Sequence, residues 1–176
     1  MKRHSSNKYS SSRPIIRPNL TTIDTAIEWI GWLTLLGIWI LTLSSYSSLA
    51  ETIPMHYNGF GEPDGFGDKS HIVTLPIVAS ALFLMLTFLN RFPQIFNYAT
   101  EITQENALYQ YRNACRMIRV LKLVIAIIFG LIVFQTIQCA NGSSNGLGAC
   151  FLPIIVGLIF LPMFYYLTKS SQNARA

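Results

Sequence analysis

His56 and Asp64, separated by seven residues, are the pair whose types could do chemistry, an imidazole beside a carboxylate being the minimum for acid–base work. Six further residues on stands His71, and Glu51, Glu62 and Asp68 lie in the same stretch. Mixed nitrogen and oxygen donors of this kind suit zinc or another divalent cation, with His56, Asp64 and His71 the candidate ligands. The spacing matches no metal motif, and no nucleophile or cofactor signature accompanies the pair. A third reading is a folded loop that recognises a ligand or partner, or caps the structure beneath it. Pro54 and Pro63 stiffen the stretch, while Gly59, Gly61, Gly65 and Gly67 open backbone angles closed to other residues. Asn58 and Lys69 are positioned to converge with His56 and Asp64, with Tyr57, Phe60 and Phe66 lying back on an apolar surface.

The elements that must carry this stretch are apolar. Half of the chain is hydrophobic (51%), mean hydropathy is +0.39, and only 12% is charged, against about 25% in soluble domains. About 20 apolar residues in a helix cross a hydrocarbon core of about 30 Å. Four such spans are expected, at about 26–47, 72–90, 118–139 and 147–168, each helical because an unpaired backbone group in lipid costs several kcal/mol. The first has a long polar lead-in and a long apolar run, which favours a retained helix over a cleaved signal peptide. The expected fold is an all-α integral membrane protein: a four-helix bundle (21–168) with an ordered outer loop between helices 1 and 2, and an amphipathic cytoplasmic helix before helix 3.

The net charge of +5 does not point to nucleic acid, because twelve of the thirteen basic residues fall on one side of that topology; only Lys69 lies across. This is the positive-inside bias, and it predicts cytoplasmic termini, with the lipid bilayer as the first partner. Residues 1–20, rich in Ser, Lys, Arg and Asn, are expected to be a disordered tail, and 169–176 a second short tail. Thr21 or Thr22 with Asp24 suits the first helix N-terminus. Glu28 is expected to reach water at the inner boundary. Leu108, Tyr111, Cys115 and Ile118 form one face of the cytoplasmic helix, and Arg112, Arg116 and Arg119 a basic stripe for lipid anchoring. Trp29, Trp32 and Trp39 are expected to anchor and pack; Pro162 should kink the fourth span. Cys139 and Cys150 flank the last outer turn, as a disulfide or as two thiols.

Ile53-Pro54-Met55-His56-Tyr57-Asn58-Gly59-Phe60-Gly61, followed by Pro63-Asp64-Gly65-Phe66-Gly67-Asp68-Lys69, resembles a bacterial multi-pass membrane family, domain of unknown function 1648. The same domain opens the immunity proteins that protect bacilli from a sporulation-delaying toxin peptide. By that resemblance Pro54, His56, Asn58, Gly61, Asp64, Gly67 and Lys69 are the signature positions; Trp is common where Phe66 stands and Ser where Asp68 stands. The immunity proteins are longer, with further spans. The resemblance implies a non-enzymatic inner-membrane protein of immunity or envelope-sensing type, whose outer loop, 51–71, binds an extracytoplasmic peptide or membrane-protein partner without a cofactor. A metal-dependent membrane enzyme using His56 and Asp64, or a small transporter or channel subunit, are the alternatives.

Overall fold

The computed structural model describes residues 13–172. Four helices long and apolar enough to cross a membrane dominate it: α1 (Thr22–Ser45), α2 (Thr74–Leu89), α3 (Ala107–Ala140) and α4 (Phe151–Gln172). Each expected span lies on one of them. Between α1 and α2 the chain departs from the all-α expectation and forms an antiparallel hairpin, β1 (Thr52–Tyr57) and β2 (Pro63–Asp68), flanked by short 3-10 turns. Thr52 pairs with Asp68, Ile53 with Gly67 and Pro54 with Phe66, before irregularities on either side of His56 shift the register.

Thr21 and Asp24 start α1 with reciprocal bonds: the Asp24 amide donates to Thr21 Oγ1 (3.3 Å) and the Thr21 amide to Asp24 Oδ2 (3.0 Å). The helix then packs on α2 at glycine distance. A Cβ on Gly31 would lie 2.9 Å from the Phe83 ring, and Trp32 meets that ring edge-on at 4.9 Å between centroids. About two turns further along α1, Trp39 Nε1 donates to Ser80 Oγ (3.0 Å). Trp39 therefore packs between helices, whereas Trp32, although it touches Phe83, and Trp29 are exposed. Leu35, Ile38, Ala79, Phe83, Ala126, Val133 and Ile137 form the core shared by α1, α2 and α3.

The segment expected to form an amphipathic helix before helix 3 runs directly into the third span. Its residues are the first turns of α3, which continues unbroken for 34 residues and, at 1.5 Å per residue, about 51 Å. It starts at Ala107, whose amide donates to the Thr103 carbonyl (3.0 Å), and the Asn106 amide donates to Thr103 Oγ1 (3.3 Å). Of the four residues expected on one face, Tyr111, Cys115 and Ile118 are buried, while Leu108 is exposed.

Two members of the basic stripe face α1 rather than lipid. Arg116 Nε donates to Asp24 Oδ1 at 2.7 Å, and Arg119 Nε to Glu28 Oε1 at 3.1 Å. Lys122, fully buried, donates to Glu28 Oε2 (2.5 Å) and Thr87 Oγ1 (2.8 Å) and sits over the Phe83 ring. Glu28 thus bridges two cations instead of reaching water alone. Acids at 24 and 28 project from one face of α1, and cations at 116, 119 and 122 share a face of α3, so the two stripes interlock.

α4 leans on α3, with Leu152, Ile154, Phe160, Leu161 and Phe164 exposed. It is fastened at the termini end. Gln110 Nε2 donates to the Ser170 carbonyl (3.0 Å) and Asn113 Nδ2 to the Tyr166 carbonyl (2.8 Å). Pro162 lies within this helix, which continues on both sides of it. Cys115, Cys139 and Cys150 are free thiols. Of the expected disordered tail, residues 1–12 lie outside the described residues. Residues 13–20 have no regular structure but are pinned: Arg13 donates to the carbonyls of Gln94 and Phe96, and Tyr111 Oη donates to the Pro14 carbonyl (3.0 Å). The expected second tail, 169–176, is helical as far as Gln172; 173–176 lie outside the described residues.

Removing one partner of a buried ion pair strands the other, at a cost of about 3–5 kcal/mol, while replacing both with apolar groups is close to neutral. Glu28→Leu is therefore expected to lower the thermal midpoint of the purified protein sharply, and adding Lys122→Met to restore part of it, Arg119 still lacking Glu28. Melting of the two single variants and the double variant in detergent measures the coupling.

Candidate functional site

The hairpin is built by the residues singled out for chemistry. Asn58 organises its tip: Oδ1 accepts from the amides of Phe60 (2.9 Å) and Glu62 (3.0 Å), and Nδ2 donates to Glu62 Oε2 (3.0 Å). Backbone bonds between Asn58 and Glu62 and from Gly61 to Asn58 close the turn. An Asn side chain that mimics a backbone turn is what this position needs. At the base, the Lys69 amide donates to the Glu51 carbonyl (3.0 Å) and Lys69 Nζ to Glu51 Oε1 (2.8 Å), above the Tyr46 ring. Asp68 caps the following turn by accepting from the Ser70 amide (2.8 Å), and this bonding holds its carboxyl below its usual value.

The two strands approach closely because β2 alternates glycine. A Cβ on Gly65 would meet His56 Cβ at 3.1 Å, and one on Gly67 would overlap Met55 Sδ. Pro54, buried, and Ile53, 1% exposed, turn inward, and burial of an isoleucine of this kind contributes about 1.5–3 kcal/mol.

Three fastenings hold the hairpin to the bundle. Ile53 joins Leu49, Ile72 and Ile137 in the core. The hydroxyls of Tyr57 and Thr136 of α3 share a hydrogen bond of 2.9 Å. The tip is stitched to the α3–α4 connection, where the Leu147 amide donates to the Gly61 carbonyl (2.7 Å). Gly61 has φ of +77°, and a Cβ there would lie 2.6 Å from the Gly148 carbonyl oxygen. Left-handed backbone and close approach both require glycine at this position. The Gly146–Gly148 stretch of the α3–α4 connection is thus the seat of the hairpin tip.

On this frame His56 Nδ1 meets Asp64 Oδ1 at 2.5 Å, with side chains 73% and 43% exposed. A pair this exposed contributes under about 1 kcal/mol; its effect is to orient the imidazole, leaving Nε2 as the nitrogen open to a partner. His71 lies apart from this pair, on the wall of a cavity of about 200 Å³ lined also by Pro54, Tyr57 and Thr136. Among the described residues no three His, Cys, Asp or Glu side chains converge as a metal set. The structure brings His56 and Asp64 together and leaves His71 out. Met55, Phe60 and Phe66 remain exposed, Phe60 at 71% and Phe66 at 63%.

Residues 33–80 match the family model described as a domain of unknown function, DUF1648. The matched segment runs from the middle of α1 through the hairpin to the middle of α2, so it contains all seven signature positions and both members of the Trp39–Ser80 bond. A relative in Archaeoglobus fulgidus, an uncharacterized protein, is 27% identical over 161 residues, covering 84% of this chain and 87% of its own. No solved structure matches. The chain thus combines four helices long and apolar enough to cross a membrane with a segment similar to DUF1648.

The interlocked charges and the Tyr57–Thr136 and Gly61–Leu147 fastenings escape a reading of the sequence. The charges leave one signal, acids four apart on one helix and cations three apart on another.

Gly61→Ala is expected to undock the tip, seen as faster amide exchange across 58–62 and 144–148, whereas Gly59→Ala, with open space around it, leaves exchange unchanged. Burial raises the Tyr57 phenol from 10.0 to about 12. A raised value means that the fastening is complete below pH 10 and is lost as pH climbs through about 12. The absorbance difference between wild type and Tyr57→Phe should show one phenolate appearing near pH 12 and not near pH 10.

Proposed function

We propose that this chain is a non-enzymatic inner-membrane protein related to immunity or envelope-sensing proteins. Its hairpin recognises an extracytoplasmic peptide or membrane-protein partner. The supporting observation is the contrast within the hairpin. Its turn and base are committed to holding one conformation, yet Phe60 and Phe66 stand exposed beside the oriented His56–Asp64 pair. Exposed aromatics on a rigid frame, next to a polar group with an open nitrogen, are the composition of a recognition surface. Pro54, Asn58, Gly61, Gly67 and Lys69 act in this reading by keeping the shape, and His56 and Asp64 by contacting the partner.

The orientation follows from charge. Among the described residues, eight of the nine basic side chains (Arg13, Arg17, Arg91, Arg112, Arg116, Arg119, Lys122 and Lys169) stand on elements at the end opposite the hairpin, and Lys69 is at its base; this bias supports a cytoplasmic position for that end and an outer one for the hairpin.

The test is photocrosslinking in intact cells, with a benzophenone amino acid at position 60, 66 or 84. Discrete peptide or protein adducts at 60 and 66, absent at lipid-facing position 84 and lost on His56→Ala/Asp64→Ala, are expected. Adducts with lipid alone at all three positions would refute recognition by the hairpin.

A further inference from the structure

A second site lies at the opposite end of the bundle. Where α2 ends, a cavity of about 310 Å³ opens between the lead-in to α1, the 90–93 turn and α3. Arg17, Arg91 and Arg119 line it, with Phe88, Phe92 and Cys115. Arg17 and Arg91 are exposed and make no ion pair among the described residues. Arg119 is largely buried and shares Glu28 with Lys122.

The charges do not cancel. Arg116, Arg119 and Lys122 face two carboxylates, Asp24 and Glu28, which leaves one positive charge behind the cavity wall. Arg17 and Arg91 add theirs at the mouth. The carbonyl end of α2 offsets only about half a charge. Surplus cations around a concave surface raise the local concentration of anions, and guanidinium forks match the oxygens of a phosphate. Phe88, on the last turn of α2 and 61% exposed, gives the mouth an apolar flank, while Arg91 lies just past the helix end.

We propose that this cavity binds a phosphate group, with Arg17 and Arg91 as its grips and Arg119 as its floor. The phosphate comes either from a phospholipid headgroup drawn in beside Phe88 or from free phosphate in solution.

The experiment titrates the purified full chain, in uncharged detergent at constant ionic strength, with short-chain phosphatidylglycerol in one arm and inorganic phosphate in the other. The readout is tryptophan fluorescence and the thermal midpoint. A saturable shift is expected whose apparent Kd weakens by about tenfold or more in Arg17→Gln/Arg91→Gln, each lost charge-assisted bond being worth about that much. Arg112→Gln/Lys169→Gln removes two cations that do not line the cavity and should leave the curve in place. Saturation by phosphatidylglycerol alone assigns a headgroup site; saturation by inorganic phosphate at the same concentration assigns a free-phosphate site. No saturable shift in either arm overturns the proposal. So does a curve unmoved in Arg17→Gln/Arg91→Gln, or one weakened equally in the other pair. Because Arg17 and Arg91 hold no ion pair among the described residues, their loss is separable from unfolding, which the midpoint without ligand reports.

Discussion

Lys122 is the constraint from which the bundle follows. A fully buried ammonium is intolerable without partners, because desolvating an isolated charge costs several kcal/mol even after relaxation. Glu28 from α1, Thr87 from α2 and the Phe83 ring surround it, so one atom on α3 fixes three helices against each other. Apolar packing alone would not do this, since lipid tails are as apolar as leucine and give the helices little reason to choose one register. Gly31 lets α1 approach Phe83 closely enough for the arrangement to close. Lys122 lies eighteen residues before Ala140, about 27 Å along the axis and close to one hydrocarbon thickness. Beyond Lys122 α3 carries no further charge up to Ala140, so the ion pairs stand at one end of its uncharged length.

The hairpin depends on the same helix. Thr136, which holds Tyr57, is fourteen residues beyond Lys122 on α3, about 21 Å away. Ile137 packs beside Ile53, and the α3–α4 connection seats the hairpin tip. α3 thus carries the polar fastenings of both ends, and α4, joined by its inner bonds and one apolar face, is the element least committed to the rest.

The spans were legible because lipid imposes a coarse rule: a long uncharged run must be helical, and composition reveals it. Thr21 and Asp24 were legible because a helix start has a local chemical signature. The hairpin was not, because two prolines and four glycines argue against strands by propensity. They serve here as the means of close approach, Gly67 making room for Met55 and Gly61 for Gly148. Arg116 and Arg119 were misread for a different reason. Sidedness alone accounts for arginines near a membrane margin, and only the facing acids on α1, some ninety residues away, reveal a second demand on the same side chains.

The DUF1648 match ends where these two halves divide. It covers the hairpin and the helix segments that bear it, but stops short of Asp24, Glu28, Lys122, Arg17 and Arg91. A hairpin whose tip, base and strand spacing are all set by residues 51–69 can keep its shape on different supports, provided that the support offers a hydroxyl to Tyr57 and a backbone amide to Gly61. In this chain α3 and the connection after it supply both. The structural logic is therefore a portable hairpin on its own two helices, anchored by a third helix that is itself held by buried charge at the far end.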